Sequence, residues 1–189
     1  MHSASSDARI DVLAMAAAQG DRRATEQFIR ATQTDVWRFI AHRTDAGRAD
    51  DLTQDTYLRA LGSLHRFEGR STARAWLLSI ARRVCVDEIR TAMARPRVSW
   101  SADWEEAADR GRAGADAAVL EFAEVKIMLA ALTEERREAL ILTQVLGLSY
   151  QEAAEVCGCP TGTIRSRVAR AREDLIAAAR GDDAADARG

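Results

Sequence analysis

Residues 149–172 read SYQEAAEVCGCPTGTIRSRVARAR, and their punctuation is that of two helices joined by a tight turn. Ser149 and Glu152 have the S-x-x-E spacing of a capping box, which predicts a short helix from Tyr150 to about Val156. Gly158 stands where the residue after a helix takes a positive φ, and Pro160 prevents continuation. A second helix is predicted from about Gly162 to Ala179, with Ile164, Val168, Ala171 and Leu175 as its apolar stripe. Ala153 and Ala154 are small enough for the two helices to approach closely. Opposite the stripe lie Arg165, Ser166, Ala169 and Arg170, and from Thr161 to Arg172 there are four arginines and no acid. This is the pattern of a helix-turn-helix, whose second helix enters the major groove of DNA. The arginine fork suits guanine edges and phosphates, and Thr161 and Thr163 sit at a helix start, where phosphate is favoured. A plain helical hairpin would share the caps and the turn, but it has no need of an acid-free basic face.

Helical patterning extends outward in both directions. Thr133 predicts the cap of a helix that carries Leu140, Ile141 and Val145 and stops at Gly147; Val119, Phe122, Val125, Met128 and Leu129 mark one before it, from about Ala118. Residues 98–117 show no sustained apolar period, with Trp100 and Trp104 as their only large apolar groups, and read as a linker. Farther back, a helix runs from Ile10 to Gln19 and ends at Gly20. Another runs from Asp21 to about Arg43, with Phe28, Val36, Trp37, Phe39 and Ile40 as apolar contacts. A third covers Asp50 to Leu64, with Leu52, Leu58 and Leu61 assigned to its buried side. Gly69 opens a turn, and Ser71 is the expected N-cap of a long helix reaching about Ala94. Leu77, Ile80, Ala81, Val84 and Cys85 form its stripe, while Arg83 and Arg90 project within roughly 20° of each other. Pro96 closes the element.

The composition agrees. Of 189 residues 38 are alanine and two are proline, and the strand-favouring aromatics are scarce, which predicts an all-α fold. Lys126 is the only lysine, a bias that a GC-rich genome explains. The opening MHSASSDARID is not a signal peptide and no apolar run approaches the ~18 residues of a membrane span, so a cytoplasmic protein without membrane insertion is expected. Cys85, Cys157 and Cys159 suit neither a disulfide framework nor a four-ligand zinc site, and they read as buried, inert thiols. No metal or other cofactor is expected. The net charge of −2 hides a partition. Nine arginines face three acids between Arg59 and Arg97, whereas residues 98–116 hold five acids and two arginines. Two basic patches with an acidic stretch between them look like two binding surfaces on a tether.

Three pieces in order, DDLTQDTYLRAL from Asp50, RFEGRSTARAWLLSIARRVCVDEIR from Arg66, and the helix-turn-helix, resemble bacterial sigma factors of the extracytoplasmic-function group. The C-terminal half looks most like the actinobacterial sigma-C type. The resemblance covers about residues 10–180. It implies two small helical domains, sigma region 2 over 10–97 and sigma region 4 over 118–180, joined by a flexible linker at 98–117. It implies core RNA polymerase as a partner, through the β′ clamp helices and the β flap, together with promoter DNA. Asp51, Leu52, Gln54, Asp55 and Leu58 match the segment that grips the clamp helices; by themselves, Asp50 and Asp51 read equally as a solvated N-cap pair. Phe67 to Ala75, with Arg70, Ser71, Thr72 and Arg74, matches the loop that captures a flipped −10 base, which starts strand opening without ATP. Trp76 either stacks on unpaired DNA or joins the core, its neighbours Leu77 and Ile80 favouring the core. Arg82, Arg83 and Arg90 would meet phosphate or base edges. Thr161, Thr163, Arg165, Ser166, Arg167, Ala169 and Arg170 would meet the −35 duplex. Relatives often carry Asn at the Arg83 position and a larger residue at the Ala169 position, so both promoter preferences are expected to differ from theirs. The linker would thread toward the polymerase interior.

A helix-turn-helix regulator that binds DNA without polymerase is the rival reading. Enzyme activity is not expected: no P-loop, HExxH, GxSxG or CxxC is present, and His2, His42 and His65 are scattered. Members of the group commonly have anti-sigma partners, and this chain by itself shows none. A further expectation is that the two domains pack together when free and hide their DNA faces.

Overall fold

The computed structural model describes residues 4–44, 46–94 and 128–186, and among these there is no strand. The expected linker at 98–117 and the helix over 118–127 lie outside the described residues. Four helices form the first unit: α1 (Ala4–Ala18), α2 (Arg22–Ala41), α3 (Ala49–Ser63) and α4 (Ala73–Ala94). Three form the second: α5 (Glu134–Leu140), which passes into a π turn over Ile141–Val145, α6 (Tyr150–Cys157) and α7 (Thr161–Asp186).

Local chemistry sets the breaks. Gly20 ends α1 at φ 93, and the Asp21 carboxylate then starts α2 by accepting from the backbone N–H of Arg23 (2.8 Å) and Ala24 (3.1 Å). The first helix begins at Ala4, earlier than the apolar periodicity from Ile10 indicates. The extra turn is polar and carries Asp7, whose charge suits a helix N-terminus and which finds a partner on α4. Phe28, Val36, Phe39 and Ile40 of α2 are buried against α1, α3 and α4.

Helix α3 corrects an expectation. Leu52 is buried, but Leu58 is 65% exposed and Leu61 is 39% exposed. The inner face is instead Ala49, Leu52, Thr56, Tyr57 and Ala60. Tyr57 fixes that rotation, because its hydroxyl lies 2.7 Å from the Thr32 hydroxyl inside the bundle. Burial pushes the phenol up to about 12, so it remains a neutral hydrogen-bonding group. Asp50 is not a cap either; it accepts the indole N–H of Trp37 at 2.9 Å.

The N-terminus of α4 is another correction. Ser71 does not cap it. The Thr72 hydroxyl accepts from the Ala75 N–H at 3.3 Å, and Asp11 of α1 accepts from the Ala73 N–H at 2.7 Å. The expected stripe of Leu77, Ile80, Ala81, Val84 and Cys85 is buried, and Arg83 and Arg90 are exposed.

In the second unit the capping box forms as read. The Ser149 hydroxyl accepts from the Glu152 N–H, and the Glu152 carboxylate accepts from the Ser149 N–H at 2.8 Å. Gly158 is left-handed at φ 65, ψ 39. The final helix starts one residue before the predicted Gly162 and runs to Asp186, past Ala179, because no proline interrupts it. Buried side chains of both units join one apolar cluster, with α4 packed against α6.

Candidate nucleic-acid interface

The outer face of α7 is built from the simplest ingredients. Ile164, Val168 and Ala171 are buried, so helical geometry turns Arg165, Ser166, Ala169 and Arg170 outward, and all four are exposed. Thr161 and Thr163 are half-buried at the helix start, and Arg167 is half-buried with Nη1 at 3.9 Å from the Cys159 sulfur. The side that the sequence reading sets opposite the apolar stripe, Arg165, Ser166, Ala169 and Arg170, is thus the exposed side of the helix.

The residues around the start of α4 are arranged differently. Arg70 is exposed and pairs with Glu68 at 2.8 Å; Ser71 and Thr72 are half-buried. Trp76 is half-buried and tilted against Phe67 with ring centroids 5.2 Å apart, which makes it part of the packing that holds the loop. Arg74 is only 3% exposed. Its Nε and Nη2 donate to Asp35 at 3.0 and 2.8 Å, its Nη1 to Asp7 at 3.0 Å, and its Nη2 also to the Leu146 carbonyl at 2.8 Å. That carbonyl lies just beyond the π turn, where helix-end oxygens have no intrahelical partner. Arg74 therefore does not present its charge to solvent as the sequence reading expects.

Further contacts cross between the units, among them an ion pair of Arg43 with Glu134. Thr72 donates to Glu152 at 2.9 Å. Glu138, 2% exposed, accepts from Arg43 at 2.5 Å and from Arg82 at 2.8 Å through one oxygen. Burial opposes charge on Arg82, but Glu138 outweighs it and raises its pKa. Burial likewise opposes charge on Glu152, yet the Ser149 and Thr72 hydrogen bonds and nearby Arg74 hold its carboxyl below the usual value. Sequence reading missed Asp7, Asp11, Asp35, Arg43 and Glu138. Their partners are as much as 95 positions away, and no local pattern marks such pairs.

The face of α3 carries Asp51, Gln54 and Leu58 exposed, with Asp55 half-buried and bonded to Arg59 at 2.9 Å. Leu52 points inward, so it supports this face and does not form it. Burial pushes the thiols of Cys85 and Cys157 up to about 11 and about 12, which leaves them protonated and unreactive. Among the described residues no cluster suited to a metal ion occurs, and no helix is long and apolar enough to cross a membrane.

Family models for sigma-70 region 2 and sigma-70 region 4 match residues 28–95 and 123–175. The chain is 55% identical over 180 residues to the ECF RNA polymerase sigma factor SigC of Mycobacterium tuberculosis, covering 95% of this chain and 96% of that protein. The chain belongs to the extracytoplasmic-function (ECF) sigma factors. As an ECF sigma factor it is a transcription initiation factor, and its helix-turn-helix lies within region 4. A solved structure of CnrH with the cytosolic domain of CnrY resembles it at a TM-score of 0.72 and 28% identity, covering 92% of this chain and 99% of that one. Another, RpoE with the anti-sigma factor NepR from Bartonella quintana, has a TM-score of 0.62 and 29% identity, covering 80% and 93%.

Proposed function

We propose that this sigma factor docks core RNA polymerase through Asp51, Gln54, Asp55 and Leu58, reads the −35 duplex with α7, and opens the −10 element with the loop before α4. Leu52 serves the docking face from beneath. At −35 the contacts are Thr161, Thr163, Arg165, Ser166, Arg167, Ala169 and Arg170. At −10 they are Arg70, Ser71, Thr72, Arg82, Arg83 and Arg90, with Arg74 and Trp76 holding the loop. The domains run over 10–97 and 118–180. The protein is a cytoplasmic, non-enzymatic factor, and the anti-sigma factor NepR bound to one solved relative supports an anti-sigma factor as a further partner.

The observation that carries this reading is the exposed, acid-free face of α7 in a chain that also presents an outward acid-and-leucine face on α3. Two tethered modules let two weak contacts add through effective concentration. In the closed arrangement Thr72, Arg74 and Arg82 are engaged by the second unit, so core polymerase must part the units before the −10 loop works. The −35 face stays open throughout, which narrows the expectation that both DNA faces are hidden.

Co-purification with sigma-free bacterial core polymerase tests the docking face. Wild type is expected to co-purify, and Asp51→Arg/Asp55→Arg to lose binding while keeping its fold. Undiminished binding by the double variant would remove the α3 assignment. Duplex binding by the free protein with no polymerase affinity would return the stand-alone regulator.

A further inference from the structure

Helix α1 ends before residue 28, where the region 2 family match begins, yet one of its faces runs along the foot of the loop before α4. Asp7, Asp11 and Met15 follow one another at four-residue spacing, which keeps them on one side of the helix. Each meets a different part of the foot. The Asp7 carboxylate accepts from Arg74 at 3.0 Å. Asp11 accepts from the Ala73 N–H at 2.7 Å, one of the backbone donors that a helix start leaves without a partner. The Met15 sulfur lies 3.5 Å from the place a Cβ on Gly69 would occupy, and Gly69 turns the loop at φ +69. A Cβ there would meet Met15 at ordinary van der Waals distance, so what a side chain at Gly69 would strain is the left-handed turn itself.

We propose that α1 is the template of the −10 loop and that Asp11 is a positioning residue for strand opening, acting through the Ala73 amide. This rests on the reading of that loop as the one that captures a flipped base. The contacts around the foot divide into two sets. Thr72–Glu152 and Arg74–Leu146 come from the second unit and are lost when the units part. Asp7, Asp11 and Asp35 belong to the first unit and travel with the loop. Once polymerase has opened the chain, the contacts from α1 and α2, with the loop's own Phe67–Trp76 packing and Thr72 cap, hold the backbone that aims Arg70, Ser71 and Thr72. A pocket that must receive an unstacked base needs that backbone set beforehand, since ordering it during capture would weaken capture. Asp11 supplies this by an acceptor atom and not by charge alone.

The distinction gives the test. The full chain is assembled with bacterial core polymerase on a promoter that the wild-type holoenzyme transcribes, with 2-aminopurine in its −10 element reporting opening. Asp11→Ala is expected to reduce the open fraction about fivefold, the worth of one lost helix cap, with unchanged affinity for core polymerase. Asp11→Asn keeps the acceptor oxygen and is expected to restore opening to near wild type. Hydrogen exchange at the Ala73 amide in the free protein should quicken in the alanine variant and not in the asparagine one. Wild-type opening by Asp11→Ala would overturn the proposal, as would equal loss in both variants or a parallel fall in core affinity. If Ser71→Ala/Arg70→Ala leaves opening intact, the base-capture reading fails as well, and the proposal falls with it.

Discussion

The start of α4 and the outer face of α7 are both arginine-bearing, and the molecule treats them in opposite ways. On α7 Arg165 and Arg170 stand clear of the fold, placed by helical periodicity and a buried stripe beneath them. At α4 Arg74 is enclosed by two carboxylates and a carbonyl, and Arg82 shares Glu138 with Arg43. A charge that must meet duplex DNA is best left hydrated until the phosphate arrives. A charge that must fix a loop has to be desolvated and fully partnered, because a buried ion without a partner is costly. The same residue type thus stands free for a ligand at one place and braces backbone at the other, and neighbours contributed by distant segments make the difference.

The sharpest way to break this comparison is to make one substitution at both places. Arg74→Ala takes the guanidinium away from buried Asp35 and half-buried Asp7 and is expected to cost about 3–5 kcal/mol of stability in thermal or urea unfolding. Arg165→Ala should change stability by less than about 0.5 kcal/mol, while weakening duplex binding at all sequences and lowering the salt slope by about one unit. Equal stability losses would erase the distinction.

Glu138→Ala tests the junction. Arg43 and Arg82 lose their shared carboxylate, and in the open chain both can be rehydrated, so the closed arrangement should give way before the helices do. Small-angle scattering or cross-linking between the units should report a larger separation than in wild type. An unchanged separation would mean that the remaining links, Arg74–Leu146, Thr72–Glu152, Arg43–Glu134 and the apolar contacts of α4 with α6, hold the units together without Glu138.

The smallest effect is a pH dependence at Glu152. Burial acts to raise its carboxyl, but the Ser149 and Thr72 hydrogen bonds hold it below the ordinary glutamate value. A group whose folded pKa is depressed contributes stability above its unfolded pKa and loses it as pH falls through the folded value. Acidification below about 4.5 should therefore weaken both the cap of α6 and the Thr72 link between the units. Glu152→Gln should open with a shallower dependence on pH than wild type. An identical acid profile would assign the effect to other carboxylates.

The helix-turn-helix was readable because everything it needs is local. Ser149 reaches Glu152 three residues on, Gly158 carries its own permitted backbone angle, and the α7 stripe repeats every turn. On α3, by contrast, the leucines gave the wrong inner face. Leu58 and Leu61 stand outside, since the Tyr57–Thr32 hydroxyl pair, bridging two helices, sets the rotation. The residues of the docking face nevertheless lie together on that helix, apart from Leu52, which the same rotation turns inward.

By itself the sequence determined an all-helical chain of two basic modules, the helix breaks at Gly20 and Gly158, and the exposed basic side of α7. These follow from backbone preference and periodicity, which act over a few residues. Only the tertiary structure decided which arginines are braces, that Asp11 caps α4 from another helix, and that Glu138 joins the two units. Those outcomes depend on desolvation, and whether a charged group is desolvated is settled by which distant surfaces close over it.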